Sequence, residues 1–209
     1  MSASSSDAGA SPAWSGPETG SAALTPPSAS ADMADLVAAL GDSALGHAER
    51  LGEPAVLVAA THLLDAAGFL KARGYTLLRS VTAVDYLPRQ PRFHVVYHLL
   101  ALPAGMLAGR AERDPADPPR AIRLKVPVPG DAPLVPTLTA LYPTAEWHER
   151  EVWDLFGIEF AGHPDPRRIL MPDDYEGHPL RKDHPLVYEE VAFTFNHDQI
   201  DAMKPRATS

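Results

Sequence analysis

Prolines at 164, 166, 172, 179 and 185 recur through the C-terminal part of this chain. Each fixes φ and lacks an amide proton, so no long helix is expected over residues 158–209. We expect that stretch to be an extended arm with short turns. Such an arm cannot enclose a core of its own and needs a surface to lie on, either the rest of the chain or a partner. The other end is also poor in core-forming residues. Residues 1–31 are dominated by Ser, Ala, Pro and Gly, which offer too little apolar surface to offset the entropy of ordering them. They carry neither the basic start and apolar run of a secretory signal nor the arginines of a transit peptide, and read as a disordered tail. Between tail and arm, residues 32–157 are left to form one globular domain.

Composition removes several function classes. The chain has 209 residues and no cysteine, which excludes disulfides, thiolate nucleophiles, Cys-ligated zinc and Cys-held iron–sulfur clusters on its own residues. The fully apolar run near the start, Leu36–Leu40, is far short of the roughly 20 residues of a membrane span. A net charge of −9 argues against nucleic acid, whose phosphates call for clustered Lys and Arg. Neither a GxxxxGK nor a GxGxxG phosphate loop is present.

The central region alternates in type. Met33, Leu36, Val37 and Leu40 predict a short helix with Asp32 and Asp35 at its start, as the helix dipole prefers. Ala55–Ala59 is a short buried strand. Thr61 is then a candidate N-cap, and Leu63, Leu64, Ala67, Phe69 and Leu70 give helical spacing up to a capping Gly74. Three period-two runs follow over Tyr75–Tyr86, Arg92–Leu102 and Arg120–Val128. In the second, Phe93, Val95, Tyr97 and Leu99 share a face. In the third, Ile122, Leu124, Val126 and Val128 alternate with polar Arg123 and Lys125. Short links between such runs favour an α+β fold, a mostly antiparallel sheet flanked by helices. Two more helices are expected, over Leu134–Leu141 and over Ala145–Phe156, the second ending at Gly157.

Charge is concentrated in residues 146–185. On the helix ending at Gly157, Glu146, Arg150 and Asp154 are spaced by four and are expected to pair at the surface, beside Val152, Trp153, Leu155 and Phe156. A capped amphipathic helix with solvated charges explains that much. The residue types also allow three chemical readings. His148, Glu149 and Glu151 are metal-ligand types, as in a metal-dependent hydrolase, although a site built that way needs more than one such helix. Paired carboxylates suit acid–base work, with no nucleophile motif beside them. Arg167-Arg168 and Arg181-Lys182, held by the turns Gly162-His163-Pro164 and Gly177-His178-Pro179, suit clamping an anion or a partner's carboxylates.

These residues also form a family signature. Glu149-Arg150-Glu151, Trp153-Asp154-Leu155-Phe156-Gly157-Ile158, Phe160, Gly162-His163-Pro164-Asp165, Arg167-Arg168-Ile169-Leu170 and Gly177-His178-Pro179-Leu180-Arg181-Lys182-Asp183 resemble the C subunit, or thirty-kilodalton subunit, of respiratory complex I, the proton-pumping NADH:quinone oxidoreductase. Pro166 stands where that family usually has Leu, and His184 where an aromatic is common. The resemblance implies a subunit with no catalytic residue, metal or cofactor of its own; FMN, iron–sulfur clusters, NADH and quinone belong to partner subunits. It implies a place on the cytoplasmic face of the bacterial plasma membrane, packed against the large D subunit and cluster-bearing subunits, without a membrane span. The partner interface is then expected at Glu149, Arg150, Glu151, Asp154, His163, Asp165, Arg167, Arg168, His178, Arg181, Lys182 and Asp183. Related subunits occur in membrane-bound hydrogenase-type and ferredoxin-linked complexes, which stand as the alternative setting.

Overall fold

The computed structural model describes residues 27–103 and 118–184. In chain order its elements are α1 (Pro27–Leu40), β1 (Ala44–Arg50), β2 (Glu53–Val58), α2 (Leu63–Ala72), β3 (Leu77–Asp85), β4 (Phe93–Ala101), β5 (Arg120–Val128), β6 (Leu134–Pro136), α3 (Ala145–Phe156) and β7 (Glu159–Ala161). The expected tail up to residue 26, the loop over 104–117 and the arm beyond His184 lie outside the described residues.

Five strands form one sheet in the order β1-β2-β5-β4-β3. Neighbours are antiparallel except β2 and β5, which run parallel. The period-two runs explain the sheet directly. Ile122, Leu124, Val126 and Val128 of β5 are buried, as are Phe93, Val95, Tyr97 and Leu99 of β4. Register aligns them in rows, such as Val81, Tyr97, Leu124 and Val56 across four strands. Leu36 of α1, Leu63, Ala66, Ala67 and Leu70 of α2, and Ala145, Val152 and Phe156 of α3 join the same core, so the helices share one side of the sheet. The fold is α+β, as the alternation implied.

Helix α2 closes as its glycine predicts. Tyr75 N–H reaches Leu70 C=O at 3.1 Å and Gly74 N–H reaches Lys71 C=O at 3.1 Å, with Gly74 at φ +93°. This is the paired bonding of a Schellman end, which favours glycine. Its start differs from expectation. Thr61 lies in a 3-10 turn over Ala60–His62, and His62 precedes the helix without a capping side-chain bond.

Three other elements depart from the sequence reading. Helix α1 begins at Pro27 rather than near Met33, because tertiary partners hold its first turns: Ala29 is buried, and Asp32 accepts from Tyr75 Oη at 3.0 Å, Arg73 at 3.2 Å and Arg120. Strand β1 has no counterpart among the expected elements. It has one large aliphatic residue, Leu45, and exists by pairing with β2 across Leu51-Gly52, both at positive φ as a two-residue hairpin turn requires. The helix expected over Leu134–Leu141 is absent. Leu134–Pro136 is β6, parallel to β7, and turns follow it; Val135 and Leu138 are buried, and in so short a segment apolar spacing does not separate helix from strand.

The two faces of the sheet should respond differently to substitution. Leu124→Ala on β5 empties a fully buried site and is expected to cost about 2–5 kcal/mol. Thr82→Ala on β3, at an exposed outward position, should stay within about 0.5 kcal/mol. Equilibrium denaturant unfolding of the two variants checks this.

Candidate functional site

The signature residues gather where α3 meets the segment after β7. Strands β6 and β7 flank α3 as the two strands of a small parallel unit, with Thr137 N–H on Ala161 C=O at 3.0 Å and Glu159 N–H on Pro133 C=O at 2.8 Å. Glu149 ties this unit together from within. It is fully buried on α3, and its carboxylate accepts from Leu138 N–H at 2.8 Å and Thr137 Oγ1 at 2.5 Å. Further along the helix Asp154, also fully buried, accepts from Arg168 Nη1 at 2.6 Å and from three successive amides, Ile169 at 3.1 Å, Leu170 at 2.9 Å and Met171 at 3.0 Å.

Arginines answer the carbonyls of the irregular segment, which has no ladder partner to satisfy its backbone. Arg150 donates to Arg167 C=O at 3.0 Å and Arg168 C=O at 3.2 Å, and stacks over the Trp147 ring. Arg168 reaches Tyr175 C=O at 2.8 Å and Gly177 C=O at 3.1 Å with its other nitrogen. Arg181 turns back to the helix end, donating to Phe156 C=O at 2.6 Å and Gly157 C=O at 3.2 Å. His178 Nδ1 donates to Asp154 C=O at 2.9 Å. These groups close tightly over Gly157, whose φ is +67°. A Cβ there would lie 2.4 Å from the His178 ring and 2.6 Å from Arg181 Nη2.

The far end of the segment is anchored to the sheet. Asp85, at the end of β3, accepts from Leu87 N–H, Lys182 N–H and Arg92, and Arg92 also grips Asp183 at 2.6 and 2.9 Å. His163 completes the near end: Nε2 donates to Glu146 C=O at 3.1 Å and Nδ1 accepts from Asp165 N–H at 3.1 Å. Asp165 pairs with exposed Arg167 at 2.6 Å.

Two expectations change in this geometry. Arg150 and Asp154 are buried and bond to the following segment, so they do not form the surface pairs that their spacing suggested. His148, Glu149 and Glu151 do not form a ligand set. Glu149 is sealed inside and Glu151 is exposed, and among the described residues no group of three or more His, Asp or Glu is placed to hold a metal ion. Sequence reasoning missed Asp85 and Arg92, which flank the β3–β4 turn and meet Lys182 N–H and Asp183, respectively, only in the folded chain. The expected interface set also left out Trp147, Leu170 and Leu180, which stand 61%, 60% and 51% exposed along this region.

The two buried carboxylates of α3 end on opposite sides of the ordinary range. Burial raises both. In Asp154, hydrogen bonds from Met171, Leu170, Arg168 and Ile169 outweigh it and hold the carboxyl below the usual range. In Glu149, Leu138 and Thr137 offset burial only partly, and the carboxyl is pushed up to about 7. Asp85 behaves like Asp154: Arg92, Lys182 and Leu87 overcome its burial and lower it to about 2.

Two variants separate these roles. Asp154→Asn removes the charge opposite buried Arg168 and is expected to cost about 3 kcal/mol, with faster hydrogen exchange at the amides of 169–171. For Glu149 the folded protein binds the proton more tightly than the unfolded chain, so its contribution to stability is complete below pH 4.5 and is lost as pH rises through about 7. Glu149→Gln keeps an acceptor for Leu138 and does not titrate. Its unfolding free energy, relative to the parent, should increase from pH 5 to pH 8. The difference isolates Glu149, because His94, His98 and His178, lowered by burial, affect both proteins alike and in the opposite sense.

Comparison with known proteins agrees with this geometry. The family model for the respiratory-chain NADH dehydrogenase 30 kDa subunit matches residues 56–190, more than half of the chain. The C subunit of the NADH-quinone oxidoreductase of Roseiflexus castenholzii is 50% identical over 178 residues, covering 84% of this chain and 94% of that protein. NADH-quinone oxidoreductase subunit 5 of Thermus thermophilus is 48% identical over 120 residues, covering 56% of this chain and 54% of that one. Among solved structures, a trypsin-resistant fragment of Nqo5 superposes with a TM-score of 0.52 at 33% identity, covering 64% of this chain and 98% of the fragment. A chain of an archaeal membrane-bound sulfane sulfur reductase shares the fold, with a TM-score of 0.60 at 22% identity, covering 86% of this chain and 96% of that one. With its signature folded into one clasp, and half of its aligned residues shared with such a relative over most of both chains, this chain belongs to the 30 kDa subunit family of respiratory-chain NADH dehydrogenase.

Proposed function

We propose that this chain is an architectural subunit of the peripheral arm of a proton-translocating NADH:quinone oxidoreductase. It carries no catalytic group or cofactor itself and supports the module that delivers electrons from NADH through iron–sulfur clusters to quinone. FMN, the clusters, NADH and quinone belong to neighbouring subunits. The observation that carries this reading is the 50% identity to the C subunit of an NADH-quinone oxidoreductase over most of both chains.

The geometry supports a binding role rather than a reactive one. The charged groups of the clasp are engaged with one another or with backbone, in a segment held without regular secondary structure. Ordering this segment in advance lowers the entropy lost when a partner binds. Trp147, Leu170 and Leu180 remain outward, and Glu151, Arg167 and Lys182 are exposed as well, so the region offers both apolar and polar groups for contact. We assign partner contact to this surface, with the large D subunit and cluster-bearing subunits as partners. Glu149, Arg150, Asp154, Arg168 and Arg181 then act by shaping the surface, while Arg167 and Lys182 reach the partner, and His163, Asp165, His178 and Asp183 fix the segment's path. No helix among the described residues is long and apolar enough to cross a membrane. We place the subunit on the cytoplasmic face of the membrane through its partners. The shared fold with the sulfane sulfur reductase chain keeps a related respiratory complex with another electron donor as the second reading.

The test is purification of the tagged chain from gently solubilised membranes, with identification of the proteins that accompany it and an assay of NADH:quinone activity. Flavin- and cluster-bearing subunits with quinone-linked activity are expected. A chain recovered alone from the soluble fraction overturns the proposal, and a nickel–iron large subunit in place of the flavin subunit favours the second reading. Trp147→Asp with Leu170→Asp should lower recovery of the assembly at least about tenfold while the isolated chain keeps its melting temperature.

A further inference from the structure

Glu149 is a buried carboxylate without a cation. Its oxygens accept from Leu138 N–H at 2.8 Å and Thr137 Oγ1 at 2.5 Å, and among the described residues no basic side chain pairs with it. Arg150, next in sequence, is turned to other groups. Its Nε and Nη2 serve the carbonyls of Arg167 and Arg168, and its Nη1 lies 4.0 Å from Asp165. The remaining polar neighbours bring no counter-charge. Glu146, one turn earlier on α3, is another carboxylate. Tyr97 of β4 is a buried phenol whose hydroxyl bonds to none of the described residues, and it feels the Glu149 charge. From the segment after β7, both ring nitrogens of His163 are occupied by backbone groups.

The carboxylate is nevertheless close to the outside. A cavity of about 10 Å³, room for a single water, is lined by Glu149, Arg150, Trp153, Phe160, His163 and Pro166. Glu149 and Phe160 are its buried end, whereas His163 is half-buried and Pro166 exposed. The cavity therefore leads from the carboxylate to the surface of the clasp. Arg150, one of its walls, stacks on exposed Trp147 with the guanidinium carbon 5.0 Å from the ring centroid. The mouth thus adjoins the surface to which partner contact is assigned. A protein seated over Trp147 and Pro166 covers it. Excluding water from a carboxylate that has no cation favours its neutral form.

We propose that docking of a partner protein on the clasp is coupled to proton uptake at Glu149, so that the subunit holds its partner more tightly at lower pH. The proposal rests on the subunit reading above and extends it from where the partner sits to what controls its grip. The sign follows from linkage. Burial already pushes the carboxyl up to about 7 in the free chain, and a covered mouth pushes it further. The docked chain then binds the proton more tightly than the free chain. The gain in association is complete below pH 7 and is lost as pH rises through the docked value.

The test captures the purified assembly by a tag on the full-length chain, equilibrates it in buffers from about pH 6 to pH 9, and quantifies the partner subunits that remain bound. The expected association constant is level up to about pH 7 and then falls by up to about tenfold per pH unit. Glu149→Gln keeps an acceptor for Leu138 and does not titrate, so this fall should be missing from its profile. Thr137→Ala, which removes one of the two donors that favour the charged form, should move the onset upward by about one pH unit. Should Glu149→Gln fail to fold, the direction of the Thr137→Ala shift decides. A parent profile that is level throughout or rises with pH overturns the proposal, as does the same fall in parent and Glu149→Gln, or an onset that Thr137→Ala leaves in place or lowers. If flavin and cluster subunits accompany the chain and any of these results is found, the proton linkage fails and the subunit reading stands. A chain recovered without partners overturns both.

Discussion

Asp154 has no access to water, so the chain itself must meet its charge. It is met by Arg168 and by three consecutive amides, all from a segment with no helix or strand to organise it. A carboxylate in that position acts as the missing hydrogen-bonding partner for the backbone. Arg168 then extends outward to the carbonyls of Tyr175 and Gly177, and His178 and Arg181 return to the end of α3. The path of residues 167–181 is therefore written in side-chain bonds to one helix end. The tight closure over Gly157 follows from the same requirement, because any side chain there would displace His178 or Arg181.

Glu149 shows how strongly the number of donors decides the outcome. It lies on the same helix and is as deeply buried, yet its two donors offset burial only partly, and the proton is held up to about 7. Asp154 has four and stays ionised below its ordinary range. One carboxylate works as a fixed charge that orders a segment. The other closes the β6–α3 unit with a bond network whose contribution depends on pH. Buried Tyr97 faces the same region, and its hydroxyl is pushed up first by burial and then by Glu149.

The two sides of the fold divide the chemistry. On the clasp side, charged groups are neutralised internally and large apolar residues are left outward, which suits a permanent protein contact. On the sheet side, the apolar residues of the core point inward, and the outward rows mix Arg123, paired with Glu53, with Leu57, Val96 and Leu100. The anchoring of Asp183 by Arg92 connects the sides, because it fixes the end of the C-terminal segment to the turn that joins β3 and β4.

Much of this could be read from the residues. The period of two in β3, β4 and β5, the helical spacing of α2 and α3 and the glycines that end them are local signals, and they point to the right elements because burial on one face agrees with local preference. The signature around α3 marks the right family. What failed was whatever depends on partners distant in sequence. Strand β1 has little apolar pattern and forms because β2 is beside it; β6 reads as helix until β7 lies parallel to it; α1 starts early because Tyr75, Arg73 and Arg120 hold Asp32. Residue order alone was therefore enough for the α+β class, the inward rows of the sheet, the helix ends at glycine and the family. Where the charges go depended on the folded chain. A spacing of four allows Arg150 and Asp154 to pair on a helix, but burial makes unsatisfied backbone far costlier than an unmade surface ion pair, so both turn to the segment that has no other partner.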